Sequence, residues 1–142
     1  FLLIINASRI SADFDWMARS QAGFARRDDV RLENISDVTG AVALQGPAAV
    51  AFIDECFAGP AIGGRSVERP GMLKKNEVAK FRHGTAQIWV SRTGYTGEEG
   101  FEVVAPGEVI VSVWNRIMEL GRPHGLKPAG LGARDTLRTE AC

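Results

Sequence analysis

Cysteine and histidine are scarce: the chain has Cys56 and Cys142, His83 and His124, and no others. They do not fall at zinc-ligand spacing, so no metal site is expected. Two cysteines can pair only with each other, and Cys56 lies in the apolar run AFIDECFAG, where a buried thiol is the simpler reading. No disulfide scaffold follows, and reducing conditions and a cytoplasmic location fit. Apolar runs are short, none approaching the roughly 18 residues of a membrane span. The apolar start FLLIIN has no basic leader and no small-residue cleavage site after it, so a buried strand is a better reading than a signal-peptide core. Charge of one sign is also lacking, since 17 Lys+Arg balance 17 Asp+Glu. With no net positive field, nucleic-acid binding would need a local patch, and no nucleic-acid partner is expected.

What is present is an ordinary globular composition, 45% hydrophobic over 142 residues. A chain of this size buries roughly 68% of its unfolded surface, enough for a core without staples. FLLIINA reads as a buried strand, and the residues after Ser11 as a helix, with Phe14, Met17 and Ala18 at helical spacing. Val30 to Ile35 alternates apolar and polar and is expected to be a second strand. Val42 to Gln45 reads as a strand, and the stretch after Gly46-Pro47 as a helix with Val50, Ile53 and Phe57 on one face. Gly59 to Gly71, rich in glycine and proline, is expected to be an irregular connection.

Val78 to Arg82 and Ala86 to Val90 then form a hairpin, and Phe101 to Val104 a further strand. The helix after Pro106-Gly107 carries Val109, Val113, Trp114, Ile117 and Leu120 on one stripe, read as core. Gly130 to Glu140 reads as the start of another helix. The order gives an α+β fold, a mainly antiparallel sheet with covering helices, taken as one region over residues 1–142. A start at Phe1 inside a strand-like run, and an end inside a helix, lead us to expect a piece of a longer protein. A first strand lacking its neighbours would leave a bare sheet edge, through which copies could self-associate.

The densest feature is the segment Ser91 to Glu102, SRTGYTGEEGFE, with Gly94, Gly97 and Gly100 in seven positions. A plain hairpin needs one or two glycines. Such spacing allows tight turns that stand Tyr95 and the carboxylates beside a ligand, although a structural loop would read the same way. No Lys-Ser/Thr pair follows, so this is not a phosphate loop. Glu102 alternates with Phe101 and Val103 and faces away from them. Placed in a pocket, it could accept two parallel hydrogen bonds from a ligand edge with adjacent N–H donors. Between Arg65 and Arg82 six basic residues stand against Glu68 and Glu77, an excess of four that suits an acidic partner, a carboxylated ligand tail or simply a solvated strand face.

Four ordered blocks, Asn6-Ala7-Ser8, LQGP at Leu44 to Pro47, SRTGYTGEEGFEV at Ser91 to Val103 and PAGLGARDTLRTEA at Pro128 to Ala141, resemble the aminomethyltransferase (T-protein) family of the glycine cleavage system. They span nearly the whole chain, and the last two are the specific ones. The resemblance implies a tetrahydrofolate-binding domain. Members transfer a one-carbon unit from an aminomethyl-lipoyl carrier, the H-protein, to tetrahydrofolate and release ammonia. Carried onto this chain, Asn6, Tyr95, Glu102 and Arg134 would line the folate site. Glu102 suits the N–H and amino edge of a pterin, Arg134 a carbonyl or carboxylate, and Tyr95 an aryl ring. Read without the resemblance, Arg134 beside Asp135 could equally form a surface ion pair.

The family's catalytic aspartate lies before the first block, upstream of Phe1, so no catalytic residue is assigned and the chain alone is expected not to turn over. Cys142 stands where the family usually has Gly. Related demethylating enzymes acting on dimethylglycine, sarcosine or sulfonium compounds share the third and fourth blocks and stay open as alternatives. The folate-binding iron–sulfur assembly proteins carry a Lys-Gly-Cys-Tyr-x-Gly-Gln-Glu motif that this chain lacks.

Overall fold

The computed structural model describes residues 1–141; Cys142 lies outside the described residues. The chain divides into two compact units, Phe1–Asp37 and Val38–Cys142. The first is built on helix α1 (Ile10–Ala22), entered through a 3-10 turn over Ala7–Arg9 that Asn6 caps: its Oδ1 accepts from the Ser8 N–H at 3.1 Å and the Ser8 hydroxyl at 2.9 Å. Such caps satisfy helix-start donors that would otherwise lack a partner. The Gln21 side chain reaches back from α1 to the Val30 carbonyl.

Two expectations fail in this unit. Neither residues 1–6 nor Val30 to Ile35 form a strand, and Phe1, Leu3 and Ile4 are exposed. An apolar or alternating run becomes a strand only beside a partner that takes its N–H and C=O groups, and the first unit contains no strand at all. The bare edge expected at the first strand is therefore absent, and with it the motive for self-association there.

The second unit is a five-stranded antiparallel sheet in the order β1-β5-β4-β3-β2, comprising β1 (Thr39–Gln45), β2 (Gly63–Gly64), β3 (Val78–His83), β4 (Ala86–Ser91) and β5 (Gly100–Pro106). With helices α2 (Ala49–Cys56), α3 (Ile110–Gly121) and α4 (Leu131–Glu140), this is the α+β architecture read from the sequence. Leu44, Ala79, Phe81, Ile88, Val90, Phe101, Val103 and Ala105 put one face of the sheet into the core. Phe52 and Ile53 of α2 and Val113 and Ile117 of α3 close that core from above. Burying a side chain of this size is worth about 2 kcal/mol, so α2 and α3 are held by packing more than by propensity.

The α2 stripe is Ala49, Phe52, Ile53 and Cys56, with Val50 at its margin. Trp114 departs from the core role read for it: it is 40% exposed on α3. The connection after α2 contains one strand the sequence reading missed. Gly63 and Gly64 pair with Lys80 and Ala79, and a Cβ on Gly64 would come within 2.8 Å of the Val78 carbonyl, so only glycine lets this edge close. Further along, the Gly71 N–H donates to Asp54 Oδ1 at 2.6 Å, tying the connection to α2.

Opposite the core, the sheet presents a more open face. Antiparallel register sets Ala43, Glu102, Ser91 and Val78 in one cross-strand row and Ala41, Val104, Trp89 and Lys80 in the next. The Lys80 ammonium lies 4.5 Å from the centre of the Trp89 ring. Arg65 pairs with Glu77 and Arg69 with Asp54, so two of the six basic residues between Arg65 and Arg82 are held within the chain.

Candidate functional site

The glycine-rich segment becomes the loop between β4 and β5, and Gln45 explains its composition. As the last residue of β1, Gln45 is paired in register with Gly100 and runs its side chain under the loop. Nε2 donates to the Leu44 carbonyl at 2.9 Å and reaches the Thr93 and Phe101 carbonyls at 3.3 and 3.4 Å, while Oε1 accepts from the Thr96 hydroxyl at 3.5 Å. A Cβ on Gly100 would stand 2.5 Å from the Gln45 amide, and one on Gly94 would overlap it outright. Gly97 instead serves the turn itself, with φ +76. Two of the three glycines thus make room for one half-buried amide.

Arg92 fastens the loop from the other side. Its Nη1 donates to the Leu73 and Gly71 carbonyls at 2.9 and 3.3 Å, and Nε and Nη2 both reach Glu99 Oε2, at 2.9 and 2.7 Å. Glu99 is accordingly an anchor of the loop.

Glu102, on β5, is half-buried on the open face of the sheet. Its Oε2 accepts from the Thr93 hydroxyl at 2.6 Å, and that hydroxyl lies 3.0 Å from Ser91 Oγ. Tyr95, at the loop tip, is 55% exposed and stacked by two guanidiniums, Arg134 at 5.2 Å and Arg138 at 5.9 Å. The ion pair open to Arg134 goes to its neighbour: Asp135 bonds Arg138 at 2.8 Å. Among the described residues Arg134 has no carboxylate partner.

A cavity of about 360 Å³ lies beside β1, within the 300–1,000 Å³ common for small-molecule sites. Ala43, Trp114, Met118 and Leu131 supply apolar wall, and Gln45, Lys127 and Arg134 the polar groups. Ala43 is the register partner of Glu102, so Glu102 stands one strand in from the cavity wall. The structure therefore gathers Tyr95, Glu102 and Arg134 in the second unit, the first and last in direct contact. Asn6 belongs to the first unit, where its side-chain oxygen caps a turn.

Gln45 and Thr93 are contributors that sequence reasoning passed over. Both lie inside motif blocks, but a β1–β5 register is needed before Gln45 can be seen to oppose the glycines. Cys56 offers no nucleophile, since burial pushes its thiol up to about 12. Among the described residues no cluster of His, Cys, Asp and Glu could hold a metal, and no helix is long and apolar enough to cross a membrane.

A five-stranded antiparallel sheet covered on one face by helices, with an apolar cavity bounded by Arg134 beside β1, defines an α+β domain. A family model described as the GCVT N-terminal domain matches residues 1–142, and the chain belongs to that family. It is 41% identical over 141 residues to an aminomethyltransferase of Bacillus pumilus and, equally, to one of Alkaliphilus oremlandii; each comparison covers 99% of this chain and 35% of the relative. An aminomethyltransferase of Chlorobaculum tepidum is 40% identical over 140 residues. The chain spans about a third of the length of these curated relatives. The resemblance carried by the four sequence blocks is borne out.

Proposed function

We propose that this chain is the folate-binding part of a glycine cleavage aminomethyltransferase, which moves a one-carbon unit from an aminomethyl-lipoyl carrier protein to tetrahydrofolate with release of ammonia. The observation that carries this reading is Glu102: a half-buried carboxylate with one oxygen engaged by Thr93, one strand in from a cavity bounded by Arg134.

The residues present fit such a ligand. A carboxylate is an acceptor on both oxygens and matches the adjacent N–H donors of a pterin edge. Arg134, which has no acidic partner among the described residues, is suited to a folate carbonyl or carboxylate in fork geometry, and Tyr95 offers an aryl surface. The apolar wall of the cavity excludes water from the ligand's rings, which strengthens each of these polar contacts. Tetrahydrofolate, when bound, supplies the amine nitrogens that take up the transferred carbon. Asn6, which pairs a donor with an acceptor in its side chain, belongs to the same proposal through the family's first block.

Trp114 lines the cavity and makes the reading testable by fluorescence. Titration of the purified chain with tetrahydrofolate should quench or shift the tryptophan emission saturably, and Glu102→Ala should weaken the apparent affinity at least tenfold, the cost of a charge-assisted bidentate contact. Equal affinity in the two proteins would remove Glu102 from the site and overturn this reading.

A further inference from the structure

Glu102 has two carboxylate oxygens, and among the described residues only Oε2 is engaged, by the Thr93 hydroxyl at 2.6 Å. An ionised carboxylate has no proton to give, so the Thr93 hydroxyl must be the donor. Its lone pairs then face Ser91 Oγ at 3.0 Å, whose single proton is shared between that hydroxyl and the backbone carbonyl of Glu102 at 3.2 Å. Thr93 is fixed in turn from below, where its carbonyl takes the Gln45 amide. The hydroxyl is thus held by the backbone beneath it and by Ser91 beside it, with its proton directed at one carboxylate oxygen.

We propose that Thr93 is a specificity-setting positioning residue, whose hydroxyl holds Glu102 by Oε2 and so reserves Oε1 and the second lone pair of Oε2 for a ligand edge bearing two adjacent N–H donors. This rests on the reading of Glu102 as the pterin acceptor. A carboxylate that rotates freely accepts one hydrogen bond as readily as two; a carboxylate held at one oxygen presents a fixed plane, and only a ligand with both donors satisfies it. Thr93 therefore contributes to discrimination between ligands as well as to affinity.

The test compares two probes by fluorescence titration of the whole chain: tetrahydrofolate, and its 2-desamino-2-methyl analogue, which lacks one of the two donors. Wild type should prefer tetrahydrofolate, and Glu102→Ala should bind both weakly with no preference. Thr93→Val, which keeps the shape and loses the hydroxyl, should lose about tenfold in affinity for tetrahydrofolate and most of the preference, the size expected for one hydrogen bond to a charged group. Thr93→Ser, which returns the hydroxyl, should restore the preference. Thr93→Ala provides a second hydroxyl-free variant should Thr93→Val fail to give a wild-type thermal transition. An undiminished preference in a folded hydroxyl-free variant, or no recovery in Thr93→Ser, overturns the proposal while leaving Glu102 in place. Indifference of both probes to Glu102→Ala overturns the functional reading beneath it.

Discussion

Arg92 and Glu99 close the β4–β5 loop through a single oxygen, Glu99 Oε2, which accepts from Arg92 Nε at 2.9 Å and Nη2 at 2.7 Å. The two residues are unequal partners. The Arg92 side chain is 22% exposed and also holds the Leu73 and Gly71 carbonyls, whereas Glu99 is 52% exposed and makes this contact alone among its recorded side-chain bonds. Removing the arginine leaves two carbonyls without their donor; removing the glutamate leaves a guanidinium that water reaches. Arg92→Ala is expected to cost about 2 kcal/mol, and Glu99→Ala less than about 1 kcal/mol. Chemical denaturation of both variants measures the difference, and equal losses would mean that the ion pair, rather than the carbonyl contacts, holds the loop.

Gly94 and Gly100 share one neighbour, and that makes their substitution conditional. A methyl group at Gly94 would overlap the Gln45 amide, so Gly94→Ala should destabilise the chain by about 1–3 kcal/mol, the usual range for overpacking. Gln45→Ala alone loses several hydrogen bonds and should cost about 1–2 kcal/mol. Combined, the two should cost less than their sum, because the small residue at 45 vacates the space that alanine at 94 needs. Additive losses in thermal or urea unfolding would show that the crowding lies elsewhere.

The same pair shows where sequence reading reaches its limit. The hairpin of β3 and β4, helices α2 and α3 and the α+β class were legible because each follows from local periodicity and turn chemistry. Phe1 to Ile35 was misread twice, since FLLIINA and Val30 to Ile35 have strand patterns without a strand to pair with. Trp114 was assigned to the core from its helical spacing, yet it sits at the edge of the stripe and lines the cavity. Tyr95, Glu102 and Arg134 were named through the family motifs; that Arg134 stacks on Tyr95 is set by how α4 lies over the loop, which no spacing encodes, whereas the Asp135–Arg138 pair is an i,i+3 contact within one helix.

His83 ties the sheet to α3. Its Nε2 is 2.6 Å from Ser112 Oγ, the Ser112 hydroxyl donates to the Val109 carbonyl at 3.1 Å, and the ring meets Phe57 edge-on at 5.9 Å. Partial burial, and then the charge of Arg116, hold its pKa below the ordinary 6.5. The folded state therefore favours the neutral ring. The stabilisation is fully present above about pH 6.5 and is lost as pH falls through the lower folded-state value. Melting temperatures between pH 7.5 and 5 should decline in wild type and decline less in His83→Gln; parallel curves would show that other groups govern the acid limb.

Arg134 and Arg138 both lie over Tyr95, at 5.2 and 5.9 Å, and their different partners separate their roles. Arg138 is bound to Asp135, so its charge is largely compensated; Arg134 has no acidic partner among the described residues and lines the cavity. An anionic or carbonyl group of a ligand should therefore meet Arg134 first. Arg134→Ala is expected to weaken tetrahydrofolate binding about tenfold or more while costing under about 1 kcal/mol in stability, since an exposed cation–π contact contributes little. Arg134→Lys should recover only part of the affinity, because an ammonium supplies the charge without the planar fork. Arg138→Ala should change affinity less than threefold, an order-of-magnitude expectation for a compensated charge. Fluorescence titration of the three variants decides the matter, and a larger loss in Arg138→Ala than in Arg134→Ala would reverse the assignment.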